Sequence, residues 1–295
     1  VLEFARLTKR FGTLTAVDDL SFQARPGRVT GFLGPNGAGK TTSLRCALGL
    51  VKPNAGQVRF DGRAYRQIPK PAAHIGVTLE ASAFHPGRSG LNHLLSLAPG
   101  IGAGRQRCLQ ALEQVGLSEQ ANKRVGEFST GMRGRLALAG ALLGDPQVLL
   151  LDEPTNGLDP EGIAWIRTLL RTLAGQGRTV LVSSHLLSEV EQTVDDVVII
   201  AKGRLVHASS LEAMRTLATP RTKVVATDPG AFGALTARMG WQAAADPAGV
   251  VIVEGPDAAT VGHAAFEARV ELHQLVPLQE GLEQLFFAMT EGPRS

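Results

Sequence analysis

Residues 34–41 read Gly34-Pro35-Asn36-Gly37-Ala38-Gly39-Lys40-Thr41, and Thr42 follows. This G-x-x-x-x-G-K-T spacing is that of a phosphate-binding loop, provided that a strand precedes it and a helix follows. Both are legible. Val29-Thr30-Gly31-Phe32-Leu33 reads as a buried strand. Leu44, Ala47, Leu48 and Val51 recur at i, i+3, i+4 and i+7, the spacing of an amphipathic helix. Each residue type has a physical reason. Glycines let backbone N–H groups turn toward phosphate oxygens without a Cβ in the way. The helix N-terminus adds unsatisfied donors and a partial positive charge. Lys40 brings a point charge to the β- and γ-phosphates, and the Thr41 hydroxyl is a ligand for Mg²⁺.

The chain has 295 residues, 44% of them apolar, which is enough for one large or two modest cores. Its 30 basic and 27 acidic residues leave a net charge of +3, too balanced for a nucleic-acid footprint, and no nucleic-acid partner is expected. No apolar run approaches the ~18–20 residues that span a bilayer. The first residues show no secretory pattern, so a soluble chain is expected, with any membrane role borrowed from a partner. Cys46 and Cys108 offer neither a disulfide framework nor metal-ligand spacing, as in a reducing cytoplasm.

Outward from the loop, strands are expected at 2–7, 19–24, 56–60, 74–79, 147–151, 179–183 and 196–201. Residues 88–145 read as mostly helical, and further helices fall at 161–174 and 187–193. The alternation predicts an α/β fold with a mixed, mostly parallel sheet and a helical subdomain at about 82–145. A boundary falls near 216–221, giving domains at 1–216 and 222–295. Beyond it the order strand, helix, strand, strand, helix, strand, with a last helix at about 279–289, predicts a small ferredoxin-like α+β domain.

Three further stretches carry chemistry. Val148-Leu149-Leu150-Leu151 runs into Asp152-Glu153, placing two carboxylates at the carboxyl edge of a parallel sheet, where ligands bind. Asp152 suits Mg²⁺, and Glu153 suits polarisation of a water for in-line attack. Ser183-Ser184-His185 ends the next strand, from which His185 reaches the γ-phosphate; taken singly, it also fits a surface or core histidine. Phe128-Ser129-Thr130-Gly131-Met132 opens a long helical pattern. There Ser129 is either an ordinary helix cap or part of an anion site. Nothing requires this segment to face the phosphate loop of its own chain, which points to the nucleotide of a second molecule.

In this order, residues 34–41, 128–132, 149–153, Gly157-Leu158-Asp159 and His185 resemble the ATP-binding cassette ATPases over about residues 1–216. The segment Phe-Ser-Thr-Gly-Met-Arg-Gly-Arg-Leu is similar to subunits of bacterial drug and antibiotic exporters of the daunorubicin-resistance type. The resemblance implies a P-loop ATPase that binds ATP and Mg²⁺ and closes as a head-to-tail homodimer. Ser129 and Gly131 of one copy would cap the γ-phosphate held by the other, and Asp159 would lie across the seam. Phe11, in Arg10-Phe11-Gly12, matches the aromatic on which adenine stacks. The implied partner is a separate membrane permease, and the implied location is the cytoplasmic face of the membrane. Two departures stand out: Thr130 and Met132 replace Gly and Gln, and Glu80 replaces the glutamine that contacts Mg²⁺. The rival expectations are a soluble cassette ATPase acting on ribosomes or DNA, a non-catalytic nucleotide-binding regulator, and an importer subunit.

Overall fold

Short, mostly apolar runs without a regular polar alternation become strands covered on both faces. In the computed structural model, which describes residues 1–79, 84–217, 219–246, 249–278 and 281–291, every residue of three such strands is buried. The chain divides into two units, Val1–Leu211 and Glu212–Ser295.

The first unit runs β1 (Leu2–Phe11), β2 (Leu14–Ala24), β3 (Val29–Leu33), α1 (Lys40–Ala47), β4 (Ala55–Phe60), α2 (Pro71–His74), β5 (Ile75–Thr78), α3 (Gly90–Ile101), α4 (Arg105–Gln114), α5 (Thr130–Leu142), β6 (Val148–Asp152), α6 (Pro160–Gly175), β7 (Thr179–Ser184), α7 (Leu187–Val190), β8 (Asp196–Ala201) and β9 (Arg204–Ser210). Six strands form a sheet in the order β5-β6-β7-β3-β8-β9, parallel except for β9. Its register sets Leu33 beside Ser184, Ser183 beside Asp152, and Leu151 beside Thr78. The carboxyl ends of four strands therefore share one edge. A three-stranded antiparallel sheet, β2-β1-β4, packs against it. Phe22 joins the layers, stacked on Phe4 at 4.3 Å between centroids and on Phe32 of β3 at 5.1 Å.

The helix α8 (Leu211–Leu217) leads to β10 (Arg221–Ala226), α9 (Pro229–Met239), β11 (Gln242–Ala245), β12 (Val250–Glu254), α10 (Ala258–Glu267), β13 (Leu272–Leu278) and α11 (Gly281–Glu291). The sheet order β11-β12-β10-β13, antiparallel throughout, is the ferredoxin-like arrangement. Val224, Phe232, Val253, Val261 and Ala265 form its core.

Several expected bounds move. The helix after the phosphate loop stops at Ala47, and Gly49 takes a positive φ of 68° just beyond it. Leu48 and Val51 continue the apolar spacing because they still join the core from outside the helix. The first two strands are longer than 2–7 and 19–24. Register shifts, with Arg6 and Asp19 at φ 48° and 52°, break the alternation that would have marked their outer halves. The elements β9 and α8 carried no expectation.

Candidate functional site

Two glycines of the phosphate loop are dictated by backbone neighbours. A Cβ on Gly34 would lie 2.3 Å from the Ile200 carbonyl oxygen, and one on Gly39 would lie 2.4 Å from that of Ala16. Gly39 also holds φ 104°, a conformation that favours glycine. It precedes α1 without a side-chain cap, and no acid occupies the first turn, so the helix start keeps free donors and an uncompensated dipole. Lys40 is buried there. Its Nζ donates to the carbonyls of Gly34 (2.5 Å) and Pro35 (3.3 Å) and lies 3.5 Å from Glu153 Oε1. Burial lowers the Lys40 pKa, partly opposed by Glu153 and Asp152. A half-compensated ammonium beside an uncapped helix start fits a polyanionic ligand.

The acidic edge is built from β6 and β7. Asp152 is buried at the end of β6 and accepts hydrogen bonds from Thr41 Oγ1 (2.7 Å) and Ser183 Oγ. A carboxylate meeting a threonine hydroxyl is a hard-oxygen donor set suited to Mg²⁺. Glu153 follows at φ 48°, a left-handed conformation that costs a non-glycine residue about 1–3 kcal/mol. The turn is held because Glu153 N–H donates to Ser183 Oγ (3.0 Å). It presents the carboxylate between two partners, with Oε1 toward Lys40 and Oε2 at 2.9 Å from His185 Nδ1. Behind His185, Ser184 Oγ donates to Glu189 Oε2 at 2.8 Å.

Residues 36–42 thus share one cavity of about 980 Å³ with Phe11, Asp152, Glu153 and His185. Phe11 is half exposed at the β1–β2 turn, with Lys9 Nζ 4.7 Å from its ring centroid. Ser129, Gly131 and Asp159 are not among the residues lining that cavity. They line a second hollow of about 500 Å³, which shares Thr130 and Arg135 with the first. Ser129 does cap α5, accepting from Met132 N–H at 3.2 Å, and Asp159 caps α6, accepting from Gly162 N–H at 2.9 Å. Glu80 lies outside the described residues. Two residues to which sequence reasoning gave no role belong to the site: Ser183, which bridges Asp152 and the Glu153 backbone, and Glu189. The signal for Ser183 was its place at the same sheet edge as Asp152, visible only once the strand register is known.

A family model described as ABC transporter matches residues 17–156, and one described as a domain of unknown function matches residues 220–283. The chain is 44% identical over 215 residues to the uncharacterized ABC transporter ATP-binding protein YhcH of Bacillus subtilis, covering 72% of this chain and 70% of that one. It is 43% identical over 210 residues to the bacitracin transport ATP-binding protein BcrA of Bacillus licheniformis, covering 70% and 69%. A dimeric ATP-binding cassette solved in a post-hydrolysis state with ADP and Pi superposes with a TM-score of 0.65 at 25% identity, over 72% of this chain and 99% of that one. The chain belongs to the ATP-binding cassette family, as an ATPase of the ABC transporter type.

Proposed function

We propose that the chain drives an exporter by closing on ATP as a head-to-tail homodimer and reopening after hydrolysis. Lys40 and the start of α1 hold the β- and γ-phosphates, and Phe11 stacks on adenine. Mg²⁺, held by Thr41, Asp152 and Glu80, would neutralise charge developing on the phosphates. Glu153 takes the proton of the attacking water. His185 fixes the Glu153 carboxylate through Oε2 and extends toward the γ-phosphate. Ser129, Gly131 and Asp159 serve the nucleotide held by the partner copy.

The observation that carries the dimer reading is that Ser129, Gly131 and Asp159 line a hollow beside the phosphate-loop cavity, with Thr130 and Arg135 in the wall of both. The one holding Ser129 and Asp159 is lined by no residue of the 34–42 loop, so an anion site there needs phosphate from elsewhere. Differential affinity for open and closed dimers is what performs work on a partner. Among the described residues no helix is long and apolar enough to cross a membrane, which suits a subunit that docks on a separate permease at the cytoplasmic face. The relative named for bacitracin transport and the divergent Thr130 and Met132 favour export of an antibiotic, peptide or lipid-like cargo. The ferredoxin-like unit supports or regulates the dimer, and deletion of residues 222–295 with dimerisation and activity both unchanged would refute that role. The main test uses Glu153→Gln protein with ATP and Mg²⁺. A mass that doubles, together with capture by a co-expressed permease, supports the reading. Stimulation of the parent by ribosomes or DNA without membrane capture would favour a soluble role.

A further inference from the structure

Helix α5, capped by Ser129, meets α6 and the turn that precedes it at three points. The Arg135 guanidinium lies 4.5 Å from the Trp165 ring centroid, joining α5 to α6 about one and two-thirds turns beyond each cap. Leu158 lies over a notch on α5: a Cβ on Gly131 or Gly134 would come within 3.6 and 3.7 Å of Leu158 Cδ2. At Gly157 a Cβ would lie only 2.6 Å from Thr130 Cγ2, so the unusual Thr130 fits because residue 157 has no side chain. The segment from Glu153 to Leu158 is itself wound into tight turns, with Asn156 N–H donating to Glu153 O and Leu158 N–H to Thr155 O.

We propose that Arg135 and Trp165 are positioning residues that hold the Ser129 cap and the Asp159 turn as one rigid unit. The segment meant for the partner's nucleotide is thereby tied to the loop that begins at this chain's own Glu153. Both side chains also line the cavity of residues 36–42, but the contacts of Arg135, to the Trp165 ring and the Val115 carbonyl, reach none of those residues, so the pair acts at closure of the dimer rather than at the first docking of nucleotide on Lys40. The inference rests on the dimer reading above. A planar ring beneath a guanidinium is the operative feature, so another aromatic at 165 or another cation at 135 serves in part.

The test compares Glu153→Gln protein with and without Trp165→Leu, using ATP-driven dimerisation and binding of a fluorescent ATP analogue to the monomer. Trp165→Leu should weaken dimerisation about ten-fold or more, as loss of a partly desolvated cation–π contact within each of the two chains implies. Analogue affinity should change by less than about two-fold, and Trp165→Tyr should recover most of the loss. In the otherwise unmodified chain, kcat should fall while KM for ATP holds. Unchanged dimerisation in the Leu variant, a matching loss of analogue affinity, or failure of Tyr to rescue overturns the inference. Should the Leu variant not fold, Arg135→Gln against Arg135→Lys asks the same question from the other side of the contact. A Glu153→Gln parent that stays monomeric with ATP and Mg²⁺ defeats the dimer reading itself, a result distinguishable from failure of the clasp alone.

Discussion

Glu153 meets two demands at once: a strained backbone and a carboxylate shared between a cation and an imidazole. Its left-handed φ persists because Ser183 satisfies its N–H, and Ser183 is held in turn by Asp152. Removing the carboxylate while keeping its shape should therefore leave the turn intact. Glu153→Gln is expected to lower phosphate release by roughly 10²–10⁴-fold, the usual worth of a general base, with nucleotide binding retained. Unimpaired release would exclude Glu153 as the base. Ser183→Ala is expected to cost about 1–3 kcal/mol by leaving the buried Asp152 oxygen and the Glu153 N–H without that partner, read as a lower denaturation midpoint. Lys40 supplies a pH signature. Its folded-state pKa lies below its ordinary 10.5 because burial disfavours the charge. Between the two values the unfolded chain binds the extra proton, so the penalty is fully present below the folded pKa and is relieved as pH rises toward 10.5. Lys40→Met should melt above the nucleotide-free parent near neutral pH, and the gap should narrow toward about pH 10. A gap that widens with pH would reverse the assignment.

At the scale of elements, the central sheet was legible because its strands are continuous apolar runs. Val29–Leu33, Val148–Asp152 and Thr179–Ser184 have apolar centres, no exposed face, and polar residues mostly at their ends. The outer halves of β1 and β2 were not legible, since bulges re-aim the side chains and erase the two-residue period. The phosphate loop and acidic edge were legible for another reason: glycine, lysine and paired carboxylates at fixed spacing have few other uses. Hydrogen bonds that cross between strands, such as Ser183 to Asp152, need the register and stayed hidden. The loop's dependence on neighbouring elements gives a direct test. Gly39→Ala forces a Cβ toward the Ala16 carbonyl of β2 at a positive φ. Nucleotide affinity should fall at least about ten-fold, because β2 and the loop cannot both keep their positions. Normal affinity in a folded Gly39→Ala protein would show that the loop tolerates displacement.

At the scale of the whole molecule, the question is whether one chain or two complete a catalytic centre. A two-fold dimer makes a definite statement about mixtures. If each centre takes Lys40 from one copy and Ser129 from the other, a Lys40→Ala chain and a Ser129→Arg chain are each inactive alone, for both of their centres carry a defect. In a mixed dimer the two defects fall on the same centre and the other is intact. An equal mixture places half the dimers in that class, so about a quarter of all centres regain every residue. Phosphate release from the mixture should thus rise well above the sum of the separate proteins and depend on total concentration, as association requires. A chain that completes its centre alone allows no such recovery, because mixing two damaged monomers repairs neither. Activity equal to the sum, at concentrations where the unmodified protein is fully active, would place Ser129 in service of its own phosphate loop, although no residue of that loop lines its hollow. Recovery would show that the unit of catalysis is the pair, with the cap of α5 as its shared part.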